Sequence, residues 1–156
     1  MSNAEIRSCR VGSIANDVKN CQIRYCQSSE PLVWKTIEKS SISDCLVILD
    51  VKRTSDKVNA GGVASYLINT SVNNCFITGK WDGYVYFSGI ANSVMSNSSV
   101  HHCALGNLKL IEYDSTYWNG IIAKKQEKSN FSKNIVLDSI YASEQSALFH
   151  NYFSSY

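Results

Sequence analysis

Short polar–apolar triplets, rather than long apolar stripes, organise this chain. Four segments align on a cysteine without a gap: Val18-Lys19-Asn20-Cys21-Gln22-Ile23, Ile42-Ser43-Asp44-Cys45-Leu46-Val47, Val72-Asn73-Asn74-Cys75-Phe76-Ile77 and Val100-His101-His102-Cys103-Ala104-Leu105. A fifth, Phe131-Ser132-Lys133-Asn134-Ile135-Val136-Leu137, fits with one extra residue and puts Ile135 in the cysteine position. The aligned positions lie 24, 30, 28 and 32 residues apart. Within each motif the cysteine and the residue two places on (Ile23, Val47, Ile77, Leu105, Leu137) share one parity, so they face one side of a strand. The residue between them varies from Gln22 to Phe76, as an outward position would. Strands are therefore expected around 21–25, 45–49, 75–79, 103–107 and 135–139. Apolar spacing of three or four does not persist beyond each motif, and the Asn/Ser runs oppose helix.

The position before the cysteine is Asn20, Asp44, Asn74, His102 and Asn134. Asn, Asp and His are the non-glycine residues most enriched in the left-handed region, so a bend is expected there in every repeat. A period near 24–32 residues with neither a leucine framework nor helix formers points to stacked short strands. The fold expected is all-β, a short right-handed parallel β-solenoid of about five coils. Its repeats fall near 9–30, 31–60, 61–87, 88–118 and 119–141. The apolar tail over 142–156 caps the last coil, since an open sheet edge invites pairing.

Composition narrows the picture. Of 156 residues 44% are hydrophobic and only 18% charged, so the polar surface must come from Ser, Asn and Thr, which suit turns between strands. Net charge is +2 with scattered lysines and arginines, which argues against a nucleic-acid partner. No apolar run approaches a membrane span, and residues 1–5 lack the basic-then-apolar order of a signal peptide.

Six cysteines raise the question of disulfides or metal. Cys21, Cys45, Cys75 and Cys103 share one column, with Cys9 and Cys26 outside it. Neighbours in a column are about 4.8 Å apart with parallel side chains, whereas a disulfide wants Cβ atoms about 3.8 Å apart. A reduced thiol ladder is expected, with no metal and no cofactor, because a linear column does not converge on one point. His101-His102-Cys103 resembles a nucleophile pair, yet the bend and core columns already account for His102 and Cys103.

Gly61-Gly62-Val63-Ala64-Ser65 followed by Val72-Asn73-Asn74-Cys75-Phe76-Ile77-Thr78-Gly79 resembles the GLUG repeat, with a looser match over 88–107. That resemblance implies a solenoid scaffold in a bacterial surface-exposed or secreted protein, and it brings no catalytic residues. Candidate ligand-binding residues come from two aromatic segments placed alike in successive repeats: Trp81, Asp82, Tyr84 and Tyr86, then Tyr113, Tyr117 and Trp118. Tyr and Trp combine contact area with a polar tip. If Val85 and Phe87 are core, the tyrosines face outward. The function expected is a non-enzymatic module presenting a rigid face to a glycan, a protein or a neighbouring domain. The alternatives are a carbohydrate-active solenoid enzyme (a hydrolase or lyase) using Asp82 and Asp114, or an injected effector, for which reduced cysteines suit a host cytosol.

Overall fold

The computed structural model describes residues 1–111, 117–120 and 123–137, with the backbone alone at 53–57, 84, 117–120, 123–127 and 136–137. In chain order the strands are β1 (Glu5–Arg7), β2 (Arg10–Val11), β3 (Ala15–Lys19), β4 (Gln22–Arg24), β5 (Gln27–Ser28), β6 (Val33–Glu38), β7 (Ser41–Ser43), β8 (Leu46–Gly61) and β9 (Ala64–Ile68). They continue with β10 (Ser71–Asn73), β11 (Phe76–Ser88), β12 (Ala91–Met95), β13 (Ser99–His101), β14 (Ala104–Ile111), β15 (Tyr117–Gly120), β16 (Ala123–Glu127), β17 (Asn130–Ser132) and β18 (Ile135–Leu137). Among the described residues there is no helix, and the strand pairings are parallel.

The chain visits three sheets in a fixed rotation. The first runs β1-β4-β7-β10-β13-β17, the second β2-β5-β8-β11-β14-β18 with β15 also on β11, and the third β3-β6-β9-β12-β16. All-β structure with parallel sheets agrees with the sequence reading and is compatible with a parallel solenoid. The described residues end at Leu137, so the cap expected over 142–156 lies outside them.

The first sheet is the regular one. Ile6, Ile23, Ile42, Val72, Val100 and Phe131 are register partners along it. Each three-residue strand lies between two residues of positive φ, five positions apart every time: Asn3 and Ser8, Asn20 and Tyr25, Lys39 and Asp44, Asn69 and Asn74, Asn97 and His102, Lys128 and Lys133. Two left-handed residues per pass turn the chain into and out of the strand. A small residue follows each of them and packs into the corner.

That register corrects the first and last alignments. The residues three places after the central apolar position are Cys9, Cys26, Cys45, Cys75, Cys103 and Asn134, so Cys9 and Cys26 belong to the sulfur column and Cys21 does not. Cys21 falls two places before Ile23, in a column with Ala4, Ser40, Thr70, Ser98 and Ser129. Accordingly residues 22–24 form a strand of the first sheet, whereas those at 46, 76, 104 and 135 open strands of the second. Both corners pair a left-handed residue with a small one, so an Asn-Cys dipeptide fits either, and residues 20–21 occupy the other corner. At the far end Phe131 pairs Val100, Val136 pairs Leu105, and Leu137 pairs Gly106, with no extra residue needed. Asn134 stands in the thiol's place: its Oδ1 accepts from the Cys103 N–H at 2.9 Å and its Nδ2 donates to the Val100 carbonyl at 2.9 Å.

The second column is a ladder of hydroxyls. The N–H of Cys21 donates to Ser40 Oγ at 3.0 Å, that of Ser40 to Thr70 Oγ1 at 3.4 Å, and that of Thr70 to Ser98 Oγ at 3.1 Å. Each hydroxyl in turn donates to a carbonyl just upstream, Ser40 to Glu38, Thr70 to Ile68 and Ser98 to Met95. Corner N–H groups that the sheet cannot pair are satisfied this way, which a buried backbone requires.

The apolar side chains of all three sheets meet in one core. Its two largest fully buried side chains, Trp81 and Phe87, belong to β11, which pairs the long strand β8 over Phe76–Ser88 with one register shift. Odd-numbered residues of β11 turn inward: Ile77, Trp81, Val85 and Phe87 are all fully buried. Gly79 sits between them at φ 104°, and a Cβ there would lie 2.1 Å from the Leu49 carbonyl oxygen. Only glycine lets β11 approach β8 at this position.

Two substitutions test this account. Thr70→Val keeps the volume but removes the hydroxyl that Ser40 needs, so denaturant unfolding should show a loss of about 1–3 kcal/mol. Gly79→Ala should abolish cooperative unfolding or prevent soluble expression, whereas Gly12→Ala, with only the Glu30 carboxyl near at 3.8 Å, should be tolerated.

Candidate functional site

The sulfur column is structural. Cys26, Cys45, Cys75 and Cys103 are buried, Cys9 is half-buried, and all are free thiols. Each buried thiol donates to the carbonyl two residues upstream, Arg24, Ser43, Asn73 and His101 respectively, at 3.2–3.4 Å. At the open end Cys9 Sγ lies 3.0 Å from Cys26 Sγ. Burial first, and then the hydrogen bond with Cys9, push the Cys26 thiol up to about 11. Thiol hydrogen bonds to Cys103 and Cys45, together with burial, raise Cys75 well above the ordinary range. Cys75 also tends to lower Cys45 and Cys103. One S–H cannot donate to both neighbours at once, so the rise at Cys75, which burial also drives, is the direction that decides the column's chemistry. Cys26 and Cys75 are poor nucleophiles, because the thiolate is the reactive form.

The histidines follow the repeat. His102 takes the bend position at φ 51°, and its Nδ1 pairs with Asn73 Oδ1 at 3.2 Å. His101 faces outward with Nδ1 2.7 Å from Ser132 Oγ. The Cys103 thiol is fully buried on the core side and directed at the His101 carbonyl. No group of three or more His, Cys, Asp or Glu that could hold a metal occurs among the described residues.

Of the proposed aromatic strip, Trp81 is a correction. It is 0% exposed and packs edge-on against Trp34 and tilted against Phe87, both at a centroid distance of 5.8 Å. Trp81 shares its parity with Ile77, Val85 and Phe87, so alternation already turned it inward. Its indole N–H finds no partner, a cost of about 1–3 kcal/mol. Burying a ring of about 200 Å² is worth roughly 5 kcal/mol and outweighs that cost. Tyr86 is half-buried on the outer side of β11, and the Cα partner of Tyr86 is Tyr117, as that of Phe87 is Trp118. The two aromatic segments thus come into register at the backbone. The side chains of Tyr84, Tyr117 and Trp118 lie outside the described ones, as do Tyr113 and Asp114 altogether. Asp82 is half-buried opposite Lys52 and Ile111, while Asp50 is opposite Lys80, 3.2 Å away in an exposed ion pair. Asp50 and Asp82 are therefore two register positions apart rather than stacked.

A site that the sequence did not single out lies on the third sheet. A groove of about 500 Å³ crosses β3, β6 and β9 and is flanked by the end of β8. Its lining is Asn16, Asp17, Trp34, Lys35, Val58, Asn59, Ser65 and Tyr66. Trp34 is held from two sides: Nε1 donates to Glu30 Oε2 at 3.0 Å, and the ring meets Trp81 at 74°. The Ser65 hydroxyl lies 2.9 Å from the Trp34 carbonyl and 2.5 Å from that of Asn59, tying β6 to the flanking strand. Trp34 and Tyr66 come from separate passes of the chain, so no local aromatic cluster announced them. The one available signal was the tryptophan itself, at the end of the apolar run 31–34 between Glu30 and Lys35.

Compared with known proteins, the chain matches no family model, no curated protein and no solved structure.

Two measurements follow from the thiol column. Native-state titration with a thiol reagent should modify Cys9 alone quickly, and all six cysteines after unfolding without reductant. The raised Cys26 pKa means that the folded state holds this proton more tightly than the unfolded chain, whose ordinary value is 9.0. Its contribution is full below pH 9 and is lost as pH rises towards 11. The melting temperature should fall across that window, and the fall should be shallower in Cys26→Ala, each protein being referred to its own value at pH 7.

Proposed function

We propose that this chain is a non-enzymatic interaction module, a right-handed parallel β-solenoid of about five full coils presenting a rigid face to a glycan or protein partner. The third sheet, with five strands, supports that coil count. The GLUG-like segments at 61–79 and 88–107 favour a bacterial surface or secreted setting.

The observation that carries the reading is the groove around Trp34. Its indole is fixed by Glu30 and Trp81, and its walls stand on hydrogen-bonded sheet. Holding the contact groups in place beforehand lowers the entropy lost on binding. Acid–base cleavage of a glycosidic bond needs two carboxyl groups flanking the substrate. Among the described residues Asp17 is the one carboxylate lining this groove, and the neighbouring Glu30 is engaged with the indole. The rival reading, cleavage by Asp82 and Asp114, gains no support from the pairing of Asp82 with Lys52 and Ile111.

On a glycan array assayed in parallel for newly formed reducing or unsaturated ends, the chain is expected to retain glycans without cleaving them. Turnover that Asp82→Asn abolishes would move it among carbohydrate-active enzymes.

A further inference from the structure

We infer that the groove over β3, β6 and β9 is a binding site for a neutral saccharide, with Trp34 as its stacking platform; this rests on the interaction-module reading and names its ligand class.

The lining sets the ligand's chemistry. An indole and a phenol, Trp34 and Tyr66, supply the flat apolar surface. Around them stand two amides, one carboxylate and one ammonium: Asn16, Asn59, Asp17 and Lys35. A pyranose matches this set, since one face of the ring is a patch of C–H groups and its rim carries hydroxyls that both donate and accept. Asn16, Asp17, Lys35 and Asn59 are exposed, and the rim hydroxyls of a sugar can hydrogen-bond to them where an aliphatic or aromatic peptide side chain cannot. Among the described residues one acid and one base line the groove, Asp17 and Lys35, a balance that gives a polyanionic chain no excess of positive charge to hold.

The backbone beneath argues in the same direction. A peptide commonly gains affinity by adding a strand to a free sheet edge. Here β6 and β9 lie inside the sheet, with N–H and C=O groups already paired to β3 and β12. At the outer side of β3, Met1 O accepts from the Lys19 N–H at 3.0 Å, and Ser2 bridges Lys19. The groove therefore offers side chains rather than main chain, as saccharide recognition requires. It crosses three strands, about 10 Å, which suits a di- or trisaccharide lying across them. Its volume of about 500 Å³ falls in the range of small-ligand sites.

The test uses saturation-transfer NMR and calorimetry on the whole chain with three neutral oligosaccharide series (β-1,4-glucan, β-1,4-N-acetylglucosamine and α-1,4-glucan) and one polyuronate. At least one neutral series is expected to bind, with transfer strongest at the protons of one ring face. Trp34→Ala should weaken that binding at least tenfold. Because Trp34 also supports Trp81, the exposed variants Asp17→Ala and Asn59→Ala serve as controls and should weaken binding several-fold with unchanged melting. Unaltered affinity in all three variants, or binding of the polyuronate alone, would overturn the inference. So would failure of every neutral series. In that last case a photo-crosslinker at position 35 that captures a protein, with capture lost in Tyr66→Ala, would show that the interaction-module reading survives while its ligand is not a saccharide.

Discussion

Everything in this structure hangs on a pair of left-handed corners separated by a three-residue strand. A residue with φ near +50° costs about a kcal/mol or more for most side chains, yet the chain accepts it twice in each pass through the first sheet. What offsets it is the stacking that the corners allow. They bring the N–H of one pass beneath the carbonyl of the next, as at Asn20 to Glu38, Asp44 to Asn73 and Asn74 to His101. They also drop a small side chain into the space behind each bend. The sixfold repetition fixes the axis of the stack, and the other two sheets follow from it.

The two corner columns solve the same packing problem with different chemistry. Behind one corner the N–H must find an acceptor, and hydroxyls supply it while donating to a carbonyl of their own. Behind the other the thiol only has to fill volume, and a weak S–H bond to the nearby carbonyl suffices. Cys21 shows that the two are interchangeable in size: it sits among hydroxyls, where its Sγ donates to the Lys19 carbonyl at 3.2 Å. Asn134 shows the reverse, a polar group in the sulfur column whose Oδ1 accepts from the Cys103 N–H and whose Nδ2 donates to the Val100 carbonyl. Burial and hydrogen bonding between thiols raise Cys26 and Cys75 in this column.

This also explains what was legible beforehand. The repeat, the strand parity and the bend before the cysteine could all be read from the motif alone, because each is fixed within seven residues. The assignment of residues 20–21 to the wrong corner was a failure of the same local rule, since two corners of like composition cannot be told apart without the register. From Cys9 onward the column members are spaced 17, 19, 30, 28 and 31 residues, so the variation lies outside the strand and its corners. Trp81 was misplaced for a different reason. It was grouped with neighbouring tyrosines by composition, although its parity with Ile77, Val85 and Phe87 turned it inward. Trp34 and Tyr66 meet only through stacking, and no window of sequence contains both.

The position of the groove follows from the same division between fixed and variable parts. The seven-residue corner unit spends its inward positions on packing and its outward ones on Ser, Asn and charge, so the recess at one corner, lined by Asn97, Ser98, Ser99, Lys128, Ser129 and Asn130, is wholly polar. The aromatic recess arises from length variation elsewhere. Where β8 and β11 run far beyond their neighbours, Trp81 and Phe87 fill the widened core, and Trp34 is pushed to the rim against Trp81. Glu30 then fixes the exposed side of the indole from the turn before β6. The aromatic surface is therefore a by-product of core expansion that sheet hydrogen bonds hold rigid. Shortening β8 and β11 to the length of β14 should close the recess, because it removes Val58 and Asn59 from its wall and the buried Phe87 from behind Trp81.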